Sequence, residues 1–303
     1  MTDSVGAVAR VSALVSKVRN PPRPVRIALS VIAAVVFVVI AWWAVDDYRS
    51  RDLDPNLWLV ALAALIGTPL ALALNAFELR TLARAGRSEP LYTKALAASL
   101  LASSANVLPL PGSVLVRTWY LSRGQSKVST AVKLQAFAGL IYVASGVALS
   151  GCFLILTSPV FGAVLAAAGC LGLVLLNHFA PAGLVPSLVP IEAAMVASEI
   201  GRTTLIIHAL DIGDRLYEAI PIVLANVIST ATGVFPAGLG LKEALSGLLA
   251  GLADLDSALA ITASATDRMA TTLVLALMLG ASALTGWHRR LLGDVPGVGG
   301  DKP

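Results

Sequence analysis

Beyond a basic leader, the chain alternates long uncharged apolar runs with short charged loops. A helix rises 1.5 Å per residue, so about 20 apolar residues cross the hydrocarbon of a bilayer. Residues 27–45 form the first such run, closing on the interfacial aromatic pair Trp42 and Trp43. Further spans are predicted at 56–77, 134–156, 159–177, 188–210 and 257–284. A tight turn at Ser158 and Pro159 joins the third span to the fourth.

Two segments break this pattern. Residues 95–108 are apolar but too short to cross, and they meet a break at Pro109, Pro111 and Gly112 before a second short apolar piece. Lys94 precedes the segment, and Arg123, Lys127 and Lys133 follow it, so both flanks carry the charge expected on the inside. A re-entrant hairpin over 95–122, entering and leaving on one face, satisfies this. The alternative is one kinked span of about 25 residues, which would put a basic loop outside. Residues 219–234 repeat the theme: a short apolar run, a break containing Pro236, Gly238 and Gly240, then a second short piece ending at Asp254 and Asp256. Acidic flanks place this second hairpin, 218–253, on the outside. An Ala-Asn-Val triplet in each segment supplies Asn106 and Asn226. The predicted fold is therefore all-α and polytopic, with six transmembrane helices and two oppositely oriented re-entrant half-helix hairpins. Such paired interruptions mark inverted-repeat transporters with a site near the midplane.

Charge sets the orientation. Arg10, Lys17, Arg19, Arg23 and Arg26 make residues 1–26 a basic cytoplasmic arm. Asp46, Asp47, Asp52 and Asp54 mark an outside loop, Arg80, Arg84 and Arg87 an inside one, and Asp211 and Asp214 another outside. Trp287, Arg289 and Arg290 end the last span inside, ahead of a flexible tail over 291–303. The expectation is a single integral domain over 27–290, multi-pass in a bacterial inner membrane, with both termini cytoplasmic. The first apolar run reads as a full span rather than a cleavable signal.

Composition sharpens this reading. Charged residues make up 13% of the chain against 57% hydrophobic, with mean hydropathy +0.82. A soluble domain carries about 25% charged residues, so no stretch after residue 26 reads as one. The net charge of +4 lies in short blocks beside apolar runs, which argues for membrane topology and against nucleic acid. Cys152 and Cys170 fall in apolar segments and read as small buried hydrophobes, and the three His residues have no metal-ligand spacing. No enzyme motif, metal or cofactor is expected.

Ionisable residues inside spans are costly and mark function by default. Lys242 and Glu243 follow the second break; they read as site residues, as a mutually neutralising pair, or as residues at a wide aqueous mouth. Asp267 and Arg268 lie about 15 Å into the last span, where a structural ion pair competes with a binding role. Glu192 and Glu199, seven residues apart on one helix face, and Arg202 are secondary candidates. Arg117 lies in the return limb of the first hairpin, among Val, Leu and Trp119. A guanidinium holds a phosphate through two parallel hydrogen bonds and stays charged at any depth. Arg117, Arg268 and Lys242 would then meet a lipid headgroup, with Arg123 a secondary candidate. The other reading makes Arg117, Arg123 and Lys127 positive-inside determinants, which suits Lys127 better than Arg117. Asn106 and Asn226 either line a polar path or bond the backbone freed at the breaks. Glycine at Gly238 and Gly240 is expected to allow the reversal after Pro236, so that Val at Gly238, and likewise at Gly112, damages function more than Val at Gly162, beside a turn.

These residues carry a resemblance. Asn106, Pro109, Pro111, Gly112 and Arg117, followed by Leu121 and Arg123, and later Pro236, Gly238, Gly240, Glu243, Asp267 and Arg268, are similar to motifs of the lysylphosphatidylglycerol synthase transmembrane region, also called the flippase-like domain family. The resemblance covers residues 30–285. Ser113 stands where the family often has an acid, and Gln135 to Phe137 where it often has Glu-Arg. The resemblance implies the translocator part only, without the aminoacyl transferase domain. The function expected is translocation of an anionic, aminoacylated or polyprenyl-phosphate-linked lipid headgroup by alternating access. The alternative is a non-transporting subunit that presents lipid to, or anchors, an envelope-biosynthesis enzyme.

Overall fold

The computed structural model describes residues 38–39, 42–43, 46, 48–51, 53–88, 91–105, 112–122, 128–213, 215–232 and 240–285. The basic arm, most of the first span, the tail, and Asn106, Pro109, Pro111, Arg123, Pro236 and Gly238 lie outside the described residues. The described residues form helices and no strands. In chain order the α-helices are α1 (Leu57–Ala85), α2 (Tyr92–Ala105), α3 (Gly112–Ser122), α4 (Val128–Leu154), α5 (Pro159–Phe179), α6 (Leu184–Ala209), α7 (Ile220–Thr232), α8 (Leu241–Leu249) and α9 (Ser257–Thr285). Single 3-10 turns precede α7 and follow α8.

Five of these helices, α1, α4, α5, α6 and α9, are long and apolar enough to cross a membrane. They correspond to five of the six spans expected, and the protein is a multi-pass membrane protein. α1 runs on past Phe77 to Ala85, so Arg80 and Arg84 are helical rather than in a loop.

Polarity is inverted relative to a soluble domain. Leu65, Ile66 and Leu70 on α1 are exposed, as are Val160, Val164, Leu171 and Val174 on α5 and Leu273 and Leu277 on α9. Glu78, Glu192, Lys242, Glu243 and Asp267 are buried. An apolar exterior of this extent suits lipid, where the backbone must satisfy itself within helices. Cys152 and Cys170 share this outer surface; they are exposed, not buried as expected, because an apolar residue on a membrane helix has lipid as an equally good neighbour.

The short helices form two pairs, α2 with α3 and α7 with α8, each packed together. The end of α3 and the start of α7 lie at opposite ends of the bundle. Leu121 of α3 packs in one cluster with Leu82 and Ala83 of α1, Ala131 of α4, and Leu184 and Val185 of α6. Ala219 and Ile222, where α7 begins, pack instead with Ala63 of α1, Ile206 and Ile207 of α6, and Ala260 of α9. Hydrogen bonds tie down this second end. The Asn56 amide donates to the Ala209 carbonyl at 2.6 Å, and the Thr157 hydroxyl to the Leu252 carbonyl at 3.0 Å.

α4 and α5 meet through small residues. A Cβ added to Gly162 would overlap the backbone of Leu154 and Ile155, and one at Gly151 or Gly169 would overlap that of Ala166 or Ala148. Spacings of four and three put Gly162, Ala166 and Gly169 on one face, where backbones approach closely. The place of Gly162 beside a turn, which made it the milder position in the comparison with Gly238 and Gly112, hid this backbone contact. Gly162→Ala is expected to destabilise by about 1–3 kcal/mol, because backbone atoms cannot yield as a side chain can. Gly139→Ala, which meets nothing within 4 Å, is the matched control. Thermal unfolding in detergent reads the difference.

Candidate functional site

α6 organises the charged centre because it packs along α1 and also touches α4, α5, α7 and α9. Glu192 and Glu199, two turns apart on one face, project toward two different clusters separated by about 10 Å of helix rise.

The larger cluster joins α6, α8 and α9. Arg202 grips Asp267 with two bonds, Nε to Oδ1 at 2.8 Å and Nη2 to Oδ2 at 3.2 Å. Lys242 Nζ reaches the same Oδ2 at 3.2 Å and lies 3.9 Å from Glu199 Oε1. Arg268 Nε lies 2.8 Å from Glu243 Oε1. The three cations and three carboxylates sum to zero charge when all are ionised. Neither adjacent pair, Lys242 with Glu243 or Asp267 with Arg268, is joined directly by these bridges. Consecutive helical residues point about 100° apart, so each member reaches a different neighbour. The two sequence readings that paired them with each other are corrected accordingly.

Gly240 starts α8 with φ of +76°, a conformation that glycine adopts without strain. Its N–H donates to Glu243 Oε2 at 3.0 Å. Glu243, fully buried, thus holds the helix start with one oxygen and Arg268 with the other. The requirement for glycine is supported at Gly240, while Gly112 is the first residue of α3.

The smaller cluster joins α1, α3 and α6. Arg117 Nη2 donates to Glu78 Oε2. Glu192 interacts electrostatically with both Glu78 and Arg117. It is 1% exposed, and neither of its carboxyl oxygens has a hydrogen-bond partner among the described residues. Glu78 therefore holds the guanidinium, and Glu192 stands within its electrostatic reach without a bond to it.

Tyr142 of α4 stands between the clusters. Its hydroxyl donates to Glu199 Oε2 at 3.3 Å and accepts from Asn226 Nδ2 at 3.5 Å, and it interacts electrostatically with Glu192. Asn226 thus belongs to the polar centre by its side chain, while its carbonyl accepts from the Ser229 and Thr230 hydroxyls.

The expected residues that converge here are Arg117, Glu192, Glu199, Asn226, Lys242, Glu243, Asp267 and Arg268, with Arg202 central rather than secondary. Sequence reasoning missed Glu78 and Tyr142. Glu78 was hidden by ending the second span one residue too early; its signal is an acid flanked by Phe77 and Leu79. Tyr142 is a phenol deep in an apolar run, far from either interface, where a hydroxyl needs a partner.

α1 crosses α6 closely at this level. A Cβ on Gly67 would lie 2.6 Å from Arg202 Cδ, whose guanidinium is already held by Asp267. Among the described residues no group of three or more His, Cys, Asp or Glu side chains is arranged to hold a metal. Comparison with protein-family models and with curated proteins finds no match for the chain.

Proposed function

We propose that the protein is a membrane lipid translocator, moving an anionic headgroup between two oppositely oriented re-entrant half-helix pairs by alternating access. The observation that carries this reading is the network of buried charges on α6, α8 and α9, which is matched in number but bridged across three elements. A network built only for stability gains little, since desolvating ions costs about as much as their pairing returns. A network whose members can trade partners is useful for transport. An anionic headgroup that takes a guanidinium from a carboxylate exchanges one ion pair for another, and no bare charge enters hydrocarbon.

The half-helix pairs suit this role because α3 ends and α7 begins at opposite ends of the bundle, with the charged centre between them. α6 spans the distance between the Arg117 cluster and the Arg202 cluster, so a headgroup leaving one meets the other. Acyl chains would remain along the apolar exterior. The resemblance to the flippase-like family points the same way. On this reading the protein sits in a bacterial inner membrane with both termini cytoplasmic.

Reconstitution tests this. Purified protein in liposomes containing fluorescent phosphatidylglycerol should raise the fraction of label reduced by a membrane-impermeant quencher over that in protein-free liposomes. Flipping only when an envelope-biosynthesis enzyme is added would favour the subunit alternative. No flipping of phosphatidylglycerol, aminoacyl-phosphatidylglycerol or polyprenyl phosphate under either condition would sink the translocator reading.

A further inference from the structure

We propose that the Glu78–Glu192 carboxyl pair is a proton-binding site, and that an anionic headgroup engaging Arg117 is accompanied by uptake of a proton there. This rests on the translocator reading for its second half only. The first half stands on geometry: a carboxyl 1% exposed, with neither oxygen hydrogen-bonded among the described residues, in electrostatic reach of a second buried carboxyl, Glu78, that is already paired with Arg117.

The charges balance as follows. With Glu78 ionised on Arg117 and a proton on Glu192, the three groups sum to zero. Without that proton they sum to one negative charge, buried and without a hydrogen bond, which is expensive in a low-dielectric interior. When a phosphate takes Arg117, Glu78 loses its counter-ion. A second proton, taken from solvent onto the pair, restores neutrality. Two acids that act on one another titrate as a unit, so the uptake belongs to the pair.

The groups around Glu192 leave the pair alone in this role. α1 carries Glu78 and, two and six residues further toward its end, Arg80 and Arg84. α3 contributes Arg117, and α4 contributes the exposed Lys133 and the Tyr142 hydroxyl, which is turned to Glu199. Of these charges Glu78 and Arg117 are the ones that act on Glu192. α7 has no titratable side chain, and Cys170 and His178 of α5 are exposed. On α9, Asp267 is held by Arg202 and Lys242, and Arg268 by Glu243. Tyr217 and Glu218, in the 3-10 turn against α6, lie at the opposite end of the bundle from Glu192.

Two readouts on the full-length protein separate the site from the lipid reading. The first needs no lipid substrate: pH-difference infrared spectra of detergent-solubilised protein. Wild type should show a protonated-carboxyl band that Glu192→Gln, nearly isosteric and folded, lacks. The second adds short-chain phosphatidylglycerol to weakly buffered protein with a pH indicator. Wild type should take up about one proton per lipid bound, unchanged when sodium is replaced by choline, and Glu78→Gln/Glu192→Gln should bind lipid with no uptake. A band indifferent to Glu192→Gln, or absent from wild type, overturns the site. Lipid binding without proton uptake, or uptake that requires sodium, overturns the coupling. A Glu192 band with no binding of the lipid keeps the site and counts against phosphatidylglycerol as the substrate.

Discussion

Asp267→Asn is expected to be the most damaging single substitution in the charged centre. Asp267 is 1% exposed and is the shared acceptor of Arg202 and Lys242. Removing its charge leaves two buried cations with Glu199 alone. Breaking one partner from a buried ion network commonly costs about 3–5 kcal/mol, because the remaining charge keeps its desolvation penalty. That is a large share of a membrane protein's folding stability, and folded yield in detergent should fall sharply. Lys242→Met in the same chain removes one orphaned cation and leaves Arg202 facing Glu199. The double variant should therefore recover part of the loss, with a coupling of about 1–3 kcal/mol. Asp254→Asn, at an exposed turn, should stay within about 0.5 kcal/mol of wild type. Additive losses at Asp267 and Lys242 would mean that the two residues do not share a network.

Arg117→Ala is expected to have the largest effect on translocation. Losing one hydrogen bond to a charged group costs about 1.5–3 kcal/mol, a drop of tenfold or more at subsaturating lipid. Arg117→Lys should keep part of the rate, since an ammonium supplies the charge without the two-pronged geometry. Arg117→Ala also strands Glu78, whose side chain is 4% exposed, so a folding defect would mimic lost transport. Glu78→Gln added to Arg117→Ala removes that charge. Folding should recover in the double variant and transport should not. Full transport by Arg117→Ala/Glu78→Gln would leave Arg117 a structural role only. Lys127→Ala should be nearly silent in the same assay.

Much of the architecture was legible because membrane spans are written as uncharged runs of fixed length. α4, α5, α6 and α9 overlap the predicted spans closely, and the two interrupted segments appear as the packed pairs α2–α3 and α7–α8. What was not legible is who pairs with whom. Lys242 with Glu243 and Asp267 with Arg268 look self-neutralising in a linear sequence, yet helix geometry turns neighbours apart and sends each to another element. Arg202 looked peripheral because its partner lies 65 residues away. Glu78 was lost to a boundary drawn at the first charge, although a helix carries one buried acid readily when an arginine from another element meets it. The contact at Gly162 was hidden for a related reason: position along the chain says nothing of what backbone passes alongside, and only the spacing of small residues hinted at it.

If two half-helix pairs enter from opposite faces and converge on the buried charges, the segments that follow them must lie on opposite sides of the membrane. Single cysteines at Gln125, just after α3, and at Asp254, just after α8, test it most directly in a background with Cys152 and Cys170 replaced by Ala. Labelling with a membrane-impermeant maleimide, in intact cells and in inverted vesicles, reads the face on which each lies. The expected result is Gln125→Cys labelled only from the cytoplasmic side and Asp254→Cys only from the outside. Labelling of both from the same side would contradict the arrangement and, with it, the alternating-access account.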